Sequence, residues 1–465
     1  MKDTKLTGKG LWNQAAGVLR LGLPMLGGMF FDTLYSLTDS FFAARVGGGP
    51  EAALAAIGAA SPLFFLMVAL AQGIAAGVMV ESATASGAKD RPALERIASS
   101  GFLVALAGGL GMGLVFLLAA RPLLGLVGGA AATGAVLSSG TTYLRYLAPG
   151  LPCLFVGHAL FSLRQGEGLT KRYGFAMAAS TAANAILDPI FMLLCGMGIK
   201  GNALGTSLSQ ALFLFLAILS FRAKEGSGSF RSGFRGASRA MARKILAIGL
   251  PQSLAFVAIG VAQAGANLVF ASRGAGALAA HTIAVRFEGI ALVPCLAFAS
   301  AACVLIAQER GAGSQGRDAY RGGLLVIGLG SVLVCGVLAA LSVPLSVLIA
   351  GETALGVAAA VGARWLALGS AIGHASGIFG AQVLLGLGKP IASLAVQVLR
   401  LIVLPLPLAW LAGRMAFSSS YWSGPASSWA GLAVGLIVGG LASLLIAKLS
   451  LVSTPAGLDE REIAV

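Results

Sequence analysis

Arg222 to Lys244 reads RAKEGSGSFRSGFRGASRAMARK, the longest hydrophilic interruption in the chain, with seven basic residues against one acid. Long apolar runs lie on both sides of it. A bilayer core takes roughly 20 apolar residues per helix. Twelve runs of that kind are bounded by polar or Gly/Pro punctuation, at about 21–44, 54–80, 99–120, 138–163, 174–196, 203–221, 245–271, 277–307, 322–349, 358–386, 391–413 and 428–451. The basic stretch divides them six and six.

The two halves also read against each other. RLGLP ending at Pro24 matches AIGLP ending at Pro251, AALAAIG from Ala52 matches GALAAHT from Gly276, and GAKD from Gly87 matches GAGS from Gly311. RPLLGLVGG from Arg121 then matches VPLSVLIAG from Val343, and GEGLTK from Gly166 matches GLGKPI from Gly386. The five pairs keep their order while the offset drifts only from 227 to about 220 residues, which indicates a duplicated six-helix unit. An even number of helices per repeat makes both enter the membrane from the same side, so the repeat is parallel, with its axis along the membrane normal. The expected architecture is an all-α membrane protein of twelve transmembrane helices in two six-helix lobes with a central cleft. Its domains are an N-terminal lobe (1–221), a basic cytoplasmic linker (222–244) and a C-terminal lobe (245–465).

Composition agrees. Only 11% of the 465 residues are charged and 57% are hydrophobic, with a mean hydropathy of +0.89. An ordinary soluble chain carries about 25% charged residues, so a cytosolic enzyme and a disordered chain are excluded. The 66 glycines suit helices that approach closely in lipid. The net charge of +15 invites a nucleic-acid reading, but the basic residues cluster between apolar runs without the interleaved aromatics that stack bases. Their distribution instead reports topology: the N-terminal tail, the even-to-odd loops and the C-terminal tail hold 23 of the 32 Lys and Arg. Both termini are therefore expected in the cytoplasm. The first run lacks a signal-peptide cleavage site and reads as a retained helix. Five scattered cysteines with no CxxC suggest neither a disulfide framework nor a zinc site. No HExxH or GxSxG motif appears, so no enzyme is expected.

Carboxyls inside the runs are the informative exceptions, because one at a helix centre costs at least about 2.5–3.5 kcal/mol on insertion scales. Asp32, Asp39, Asp188 and Glu288 are placed there. Asp32, Tyr35 and Asp39 fall on one face of the first helix, at spacings of three and four. Asn184 and Asp188, at i and i+4, reach the same point, and Pro189 directly after Asp188 frees a carbonyl. Plainer alternatives exist: solvation near a helix end for Asp39, and backbone capping at the proline kink for Asp188. Glu288 either meets a cationic substrate or neutralises a lobe interior. Its neighbour Arg286 is two residues away and points to a different face. His158, His281 and His374 are far apart in sequence and read as core residues, with no metal site.

Together these features resemble the multidrug and toxic compound extrusion (MATE) transporters. The residues carrying the resemblance are LGLP at Leu21–Pro24, Asp39 in SLTDSFFAARVG followed by EAALAAIG, the turn at Gly87, LRQGEGLTK from Leu163, NAILDP from Asn184 and KGNALGTSLSQ from Lys200. What the resemblance implies is a coupling cation bound in the N-terminal lobe by Asp39, Asn184, Asp188 and Thr206. It also implies cavity tyrosines at Tyr35 and Tyr143, and a hinge where the first helix bends at Pro24. Asp32 is added to the substrate cavity. The branch of the family with acids in the seventh and tenth helices finds no counterpart here, since position 266 is alanine and the tenth run carries His374 without a carboxylate.

The expected function is a proton- or sodium-coupled antiporter that exports bulky, cationic or amphiphilic organic compounds by alternating access. It is expected as a monomer in the cell membrane, with small-molecule and lipid partners, no cofactor and no nucleic acid. The alternative is a lipid or lipid-linked precursor flippase of the same superfamily, kept open by Arg145, Arg286, Arg364 and Arg400.

Overall fold

The computed structural model describes residues 8–43, 50–128, 134–221, 236–415 and 425–454, with side chains at 32–43, 50–55 and a few terminal positions outside the description. Every regular element among the described residues is helical. Ten helices are long and apolar enough to cross a membrane, and Val136–Leu147 with Gly150–Gly166 forms an eleventh span bent by 49°. With α1 (Gly8–Ala43), which carries the first predicted run, the described helices account for all twelve runs. The predicted linker lies outside the described residues up to 235, and from Arg239 its sequence is already helix.

Two compact units share the chain, Gly27–Ser253 and Met1–Leu26 with Leu254–Val465. Both exchanges occur inside a helix, two residues after Pro24 in α1 and two residues after Pro251 in α8 (Arg239–Ala271).

The first unit holds the rest of α1, then α2 (Pro50–Gly87), α3 (Arg91–Gly128), α4 (Gly134–Leu147), α5 (Gly150–Gly166), α6 (Lys171–Pro189), α7 (Ile199–Ser220) and the start of α8. Small residues set its packing. A Cβ on Gly166 would lie 2.7 Å from the Met79 carbonyl oxygen, so the end of α5 rests directly on the α2 backbone. Aromatic rings fill what remains, with Phe161 4.9 Å from Phe213 and 5.8 Å from Tyr173 between ring centres. The run read as one span over 138–163 is two helices. Pro149 and Pro152 withhold backbone donors just where the axis turns.

The second unit holds the start of α1 and the end of α8, followed by α9 (Ala275–Gly311), α10 (Arg317–Ala340), α11 (Ser342–Ala350), α12 (Ala354–Gly369), α13 (Ala375–Gly386), α14 (Pro390–Val398), α15 (Pro405–Arg414) and α16 (Pro425–Ser453). π-helical turns at Ser370–His374 and Leu399–Val403 interrupt the tenth and eleventh runs. Its core gathers Phe270, Phe287, Leu366 and Trp429. Gly386 meets the Cys303 carbonyl oxygen at 2.8 Å from a built Cβ, the counterpart of Gly166 over Met79.

Local backbone repeats as the sequence pairs predict. Gly168 and Gly388, the last residues of GEG and GLG, have φ of 83° and 71°. Gly313 in GAGS has φ 85°, and Lys89 in the matching GAKD has φ 57°. A left-handed backbone costs an L-residue about 1–2 kcal/mol, and a helix usually stops on glycine for that reason. Lys89 is exposed, so Lys89→Gly is expected to stabilise the protein by about 0.5–1 kcal/mol once glycine's larger unfolded-state entropy is subtracted. A rise in thermal midpoint in detergent checks this, and a fall would show that the lysine side chain matters more than its backbone.

Candidate functional site

The sixth helix ends on Asp188 and Pro189, continues through a π-helical turn at Ile190–Leu194, and reverses at 195–198, where Gly196 and Gly198 have φ of 65° and 55°. Gly201 lets α7 start against that turn: a Cβ there would lie 2.6 Å from the Phe191 carbonyl carbon. The hairpin so formed sets Asn202, Gly205 and Thr206 of α7 beside the end of α6.

Asp188 is 0% exposed and is held from two helices. Asn184 Nδ2 donates to its Oδ1 at 3.1 Å, as the i,i+4 spacing requires, and Asn202 Nδ2 donates to its Oδ2 at 3.1 Å. A Cβ on Gly205 would lie 2.5 Å from Asp188 Oδ1, so only glycine leaves room for the carboxylate. Both asparagine amides spend their nitrogens on the carboxylate, which turns their oxygens away from it. Asn184 Oδ1 and Thr206 Oγ1 are buried and accept no hydrogen bond from the described residues. Carboxylate, amide and hydroxyl oxygens are the hard-oxygen groups that take a proton or a small cation; Thr206, one residue past Gly205, also faces Phe64, Leu147 and Leu151 around a small pocket. Asn202 and Gly205 were missed as site residues, although their signal was present: an asparagine inside an apolar run, with Gly205 three and Thr206 four residues beyond it on adjoining positions of the helix surface.

The other expected residues fall as follows. Tyr143 is buried in α4 at 5% exposure. Pro24 stands inside α1, close to the point at which that helix passes from one unit to the other. Asp32, Tyr35 and Asp39 belong to α1, but their side chains lie outside the described residues. The last contact described before them is a hydrogen bond from Thr181 Oγ1 of α6 to the Phe31 carbonyl oxygen, at 3.1 Å.

Glu288 lies inside the second unit against His374, the setting of a residue that neutralises a lobe interior. His374 is not a solitary core histidine: its Nε2 lies 2.9 Å from Glu288 Oε1, and Arg400 Nη1 lies 3.0 Å from its Nδ1. The three residues are 86 and 26 positions apart, and no periodicity links them. His158 and His281 do pack as core residues, His158 against Phe213 and His281 stacked 4.0 Å from Phe270. Three of the four arginines that kept a flippase open are committed within their own units. Arg145 Nε donates to the Leu117 carbonyl oxygen, Arg364 Nε donates to Ser342 Oγ, and Arg400 binds His374 and Gln397. Arg286 is exposed.

Comparison with known proteins places this geometry. The MatE family model matches twice, over residues 24–190 and 251–411, and the two matches begin at the paired prolines of the internal repeat. The chain is 30% identical over 331 residues to a probable multidrug resistance protein NorM of Burkholderia mallei, covering 69% of this chain and 68% of that one. It is 26% identical over 273 residues to the multidrug export protein MepA of Staphylococcus haemolyticus, a match that spans 58% of each protein's length. A solved structure described as the outward-facing conformation of a multidrug resistance MATE family transporter of the MOP superfamily superposes with a TM-score of 0.87, at 24% identity, over 97% of this chain and 99% of that one. With a helical membrane fold, a duplicated half and two family matches that together cover most of its length, the chain belongs to the MatE family of multidrug and toxic compound extrusion transporters.

Proposed function

We propose that this protein is a cation-coupled antiporter that exports bulky organic compounds, cationic or amphiphilic in character, by alternating access. It works as a monomer in the cell membrane, with both termini in the cytoplasm and no cofactor. Its coupling cation, H+ or Na+, is held by Asp39, Asn184, Asp188 and Thr206. Asp32, Tyr35 and Tyr143 belong to the substrate cavity, and α1 bends at Pro24. The names of the NorM and MepA relatives support export of drugs.

The observation that carries the reading is the fully buried Asp188 carboxylate, fixed by two asparagine amides beside oxygens that lack donors. Burying a charge in this way is costly unless occupation by a cation is part of the protein's work. Register along α1 and α6 supports the inclusion of Asp39. Both helices run in the same sense from the Phe31–Thr181 contact, since Gly28 meets Tyr173 and Met177 earlier on each. Counting forward at the helical rise, Asp39 comes about 12 Å and Asp188 about 10 Å beyond that contact, so the two positions fall at the same height.

Occupation and vacancy then differ in charge. An empty site is anionic, and one proton or one sodium ion removes a negative charge at the α6–α7 hairpin beside α1, which favours a different course of that helix near Pro24. One charge crossing 100 mV is worth about 2.3 kcal/mol, and only a cycle that moves net charge uses it.

In inverted vesicles, Asp188→Asn and Asp39→Asn are each expected to lower gradient-driven efflux of a fluorescent organic cation by at least about tenfold, or about 1.4 kcal/mol. Imposing the proton and sodium gradients separately identifies the ion. Near-normal coupled efflux in both variants would overturn the assignment.

A further inference from the structure

The second unit contains a buried charged assembly that the export reading leaves without a role. Glu288 of α9, His374 at the end of one π-helical turn and Arg400 within the other meet in the interior. Arg400 is 2% exposed, the His374 side chain 6% and the Glu288 side chain 13%. Arg400 Nε also donates to Gln397 Oε1 at 2.6 Å. The surrounding helices are shaped for this arginine. A Cβ on Gly439 of α16 would lie 2.6 Å from Arg400 Cα, and one on Gly377 of α13 would run into the arginine side chain.

Hydrogen bonding fixes the protonation pattern. A guanidinium only donates, so His374 Nδ1 must be bare and accepting. The ring proton therefore sits on Nε2 and is donated to the Glu288 carboxylate. In this state glutamate is negative, histidine neutral and arginine positive, and the assembly has no net charge. π-helical turns are uncommon and concentrate at functional sites, and here two of them supply the histidine and the arginine.

The geometry points to a second proton-binding site, in which His374 Nδ1 takes up one proton by displacing the Arg400 N–H from it. The incoming proton forms an N–H bond at Nδ1. The imidazolium keeps its Nε2–H bond to Glu288 and becomes that carboxylate's ion-pair partner. Arg400, now facing a like charge, keeps Gln397 and leaves the ring. Proton release reverses each step. The arginine so reports occupancy to α14–α15 and, through its contact with Gly439, to α16.

The other titratable or charged groups nearby are few among the described residues. His281 of α9 and Cys335 of α10 feel the charge of Glu288, Cys295 of α9 feels that of Arg400, and Arg286 of α9 is exposed two residues before Glu288. Arg364 of α12 is bonded to Ser342. Trp429 Nε1 donates to His281 Nδ1 at 3.2 Å, which separates that ring from the assembly's exchange of partners. The faces of α13 and α16 against Arg400 are glycine.

His374→Gln tests the site, because the amide NH2 can still donate and its oxygen can still accept, as the two nitrogens of the neutral ring do, but it takes no proton. The chain has three histidines, so nitrogen-15 histidine labelling of the full-length protein in lipid nanodiscs resolves each ring. The expected spectrum shows one Nε2–H tautomer that becomes imidazolium on acidification and vanishes in His374→Gln. In proteoliposomes exchanging ethidium under a pH gradient, His374→Gln is expected to lower the proton count per exchange by about one. It is also expected to flatten a rate that otherwise changes up to about tenfold per pH unit. The Asp188→Asn variant, read in the same assay, reports the first-unit site separately, and the nitrogen spectrum stands even if ethidium is not carried. A His374 ring that stays neutral over the whole pH range in which the protein remains folded would overturn the proposal, as would an unchanged proton count in His374→Gln.

Discussion

Gly205→Ala is expected to lower coupled efflux by about a hundredfold while leaving the protein folded. The added methyl would stand 2.5 Å from Asp188 Oδ1, well inside contact distance, on a backbone held by the α6–α7 hairpin. The carboxylate has to move, and with it go the bonds from Asn184 and Asn202. A positioned group displaced by about 1 Å commonly loses about 10²-fold in rate. Helix propensity acts in the opposite direction, since alanine is worth about 0.5–1 kcal/mol over glycine inside a helix, and the thermal midpoint of the variant separates lost transport from lost stability. Gly111→Ala is the matched control: its Cβ meets nothing within 4 Å, and wild-type efflux is expected. Gradient-driven export in vesicles and thermal unfolding of the same preparations measure both quantities. Wild-type efflux in Gly205→Ala would remove Asp188 from the coupling site.

How much of this was legible in the sequence follows from the range of the interactions. The apolar runs, the six-and-six division and the repeat rest on local composition and on short words repeated in order, so they were readable. The pairing of GAKD with GAGS even located matching left-handed turns at Lys89 and Gly313. Asn184 and Asp188 were readable as a pair because i,i+4 fixes their geometry on any helix. Asn202 reaches the same carboxylate across a hairpin, a relation that depends on the reversal at 195–198 and on Gly201 and Gly205. Glu288, His374 and Arg400 come from three separate runs, and their meeting depends on two π-helical turns that hydropathy does not register. Glu288 and Arg286 were weighed as neighbours in sequence, whereas the partner of Glu288 is 86 residues away.

Arg164→Met is expected to destabilise the first unit by about 3–5 kcal/mol, the usual cost of leaving one member of a buried pair behind. Arg164 Nη1 donates to Glu167 Oε2 at 2.7 Å, with the two side chains only 2% and 4% exposed. Its Nη2 donates to the Ser220 carbonyl oxygen at 3.3 Å, and its guanidinium carbon lies 4.0 Å from the centre of the Phe221 ring. One side chain thus ties the end of α5 to the end of α7. Methionine keeps the aliphatic packing but takes the Arg164 cation away from the buried Glu167 carboxylate. The second change Glu167→Gln is expected to return much of the loss, because replacing both members removes the uncompensated charge. Thermal midpoints in detergent for the two single variants and the double variant measure this. A single variant within about 0.5 kcal/mol of wild type, the range of ordinary surface changes, would contradict it.

The mid-helix exchanges at Leu26/Gly27 and Ser253/Leu254 bear on how the chain is made. The first unit has all its parts only after residue 253 has left the ribosome, beyond the basic 222–244 stretch. The opening segment, synthesised first, waits for α9 and α10 before Gly17, Gly22 and Gly322 find their neighbours Leu305, Phe298 and Gln14. Severing the polypeptide within 222–235 therefore yields two fragments, each of which carries a piece belonging to the other's bundle.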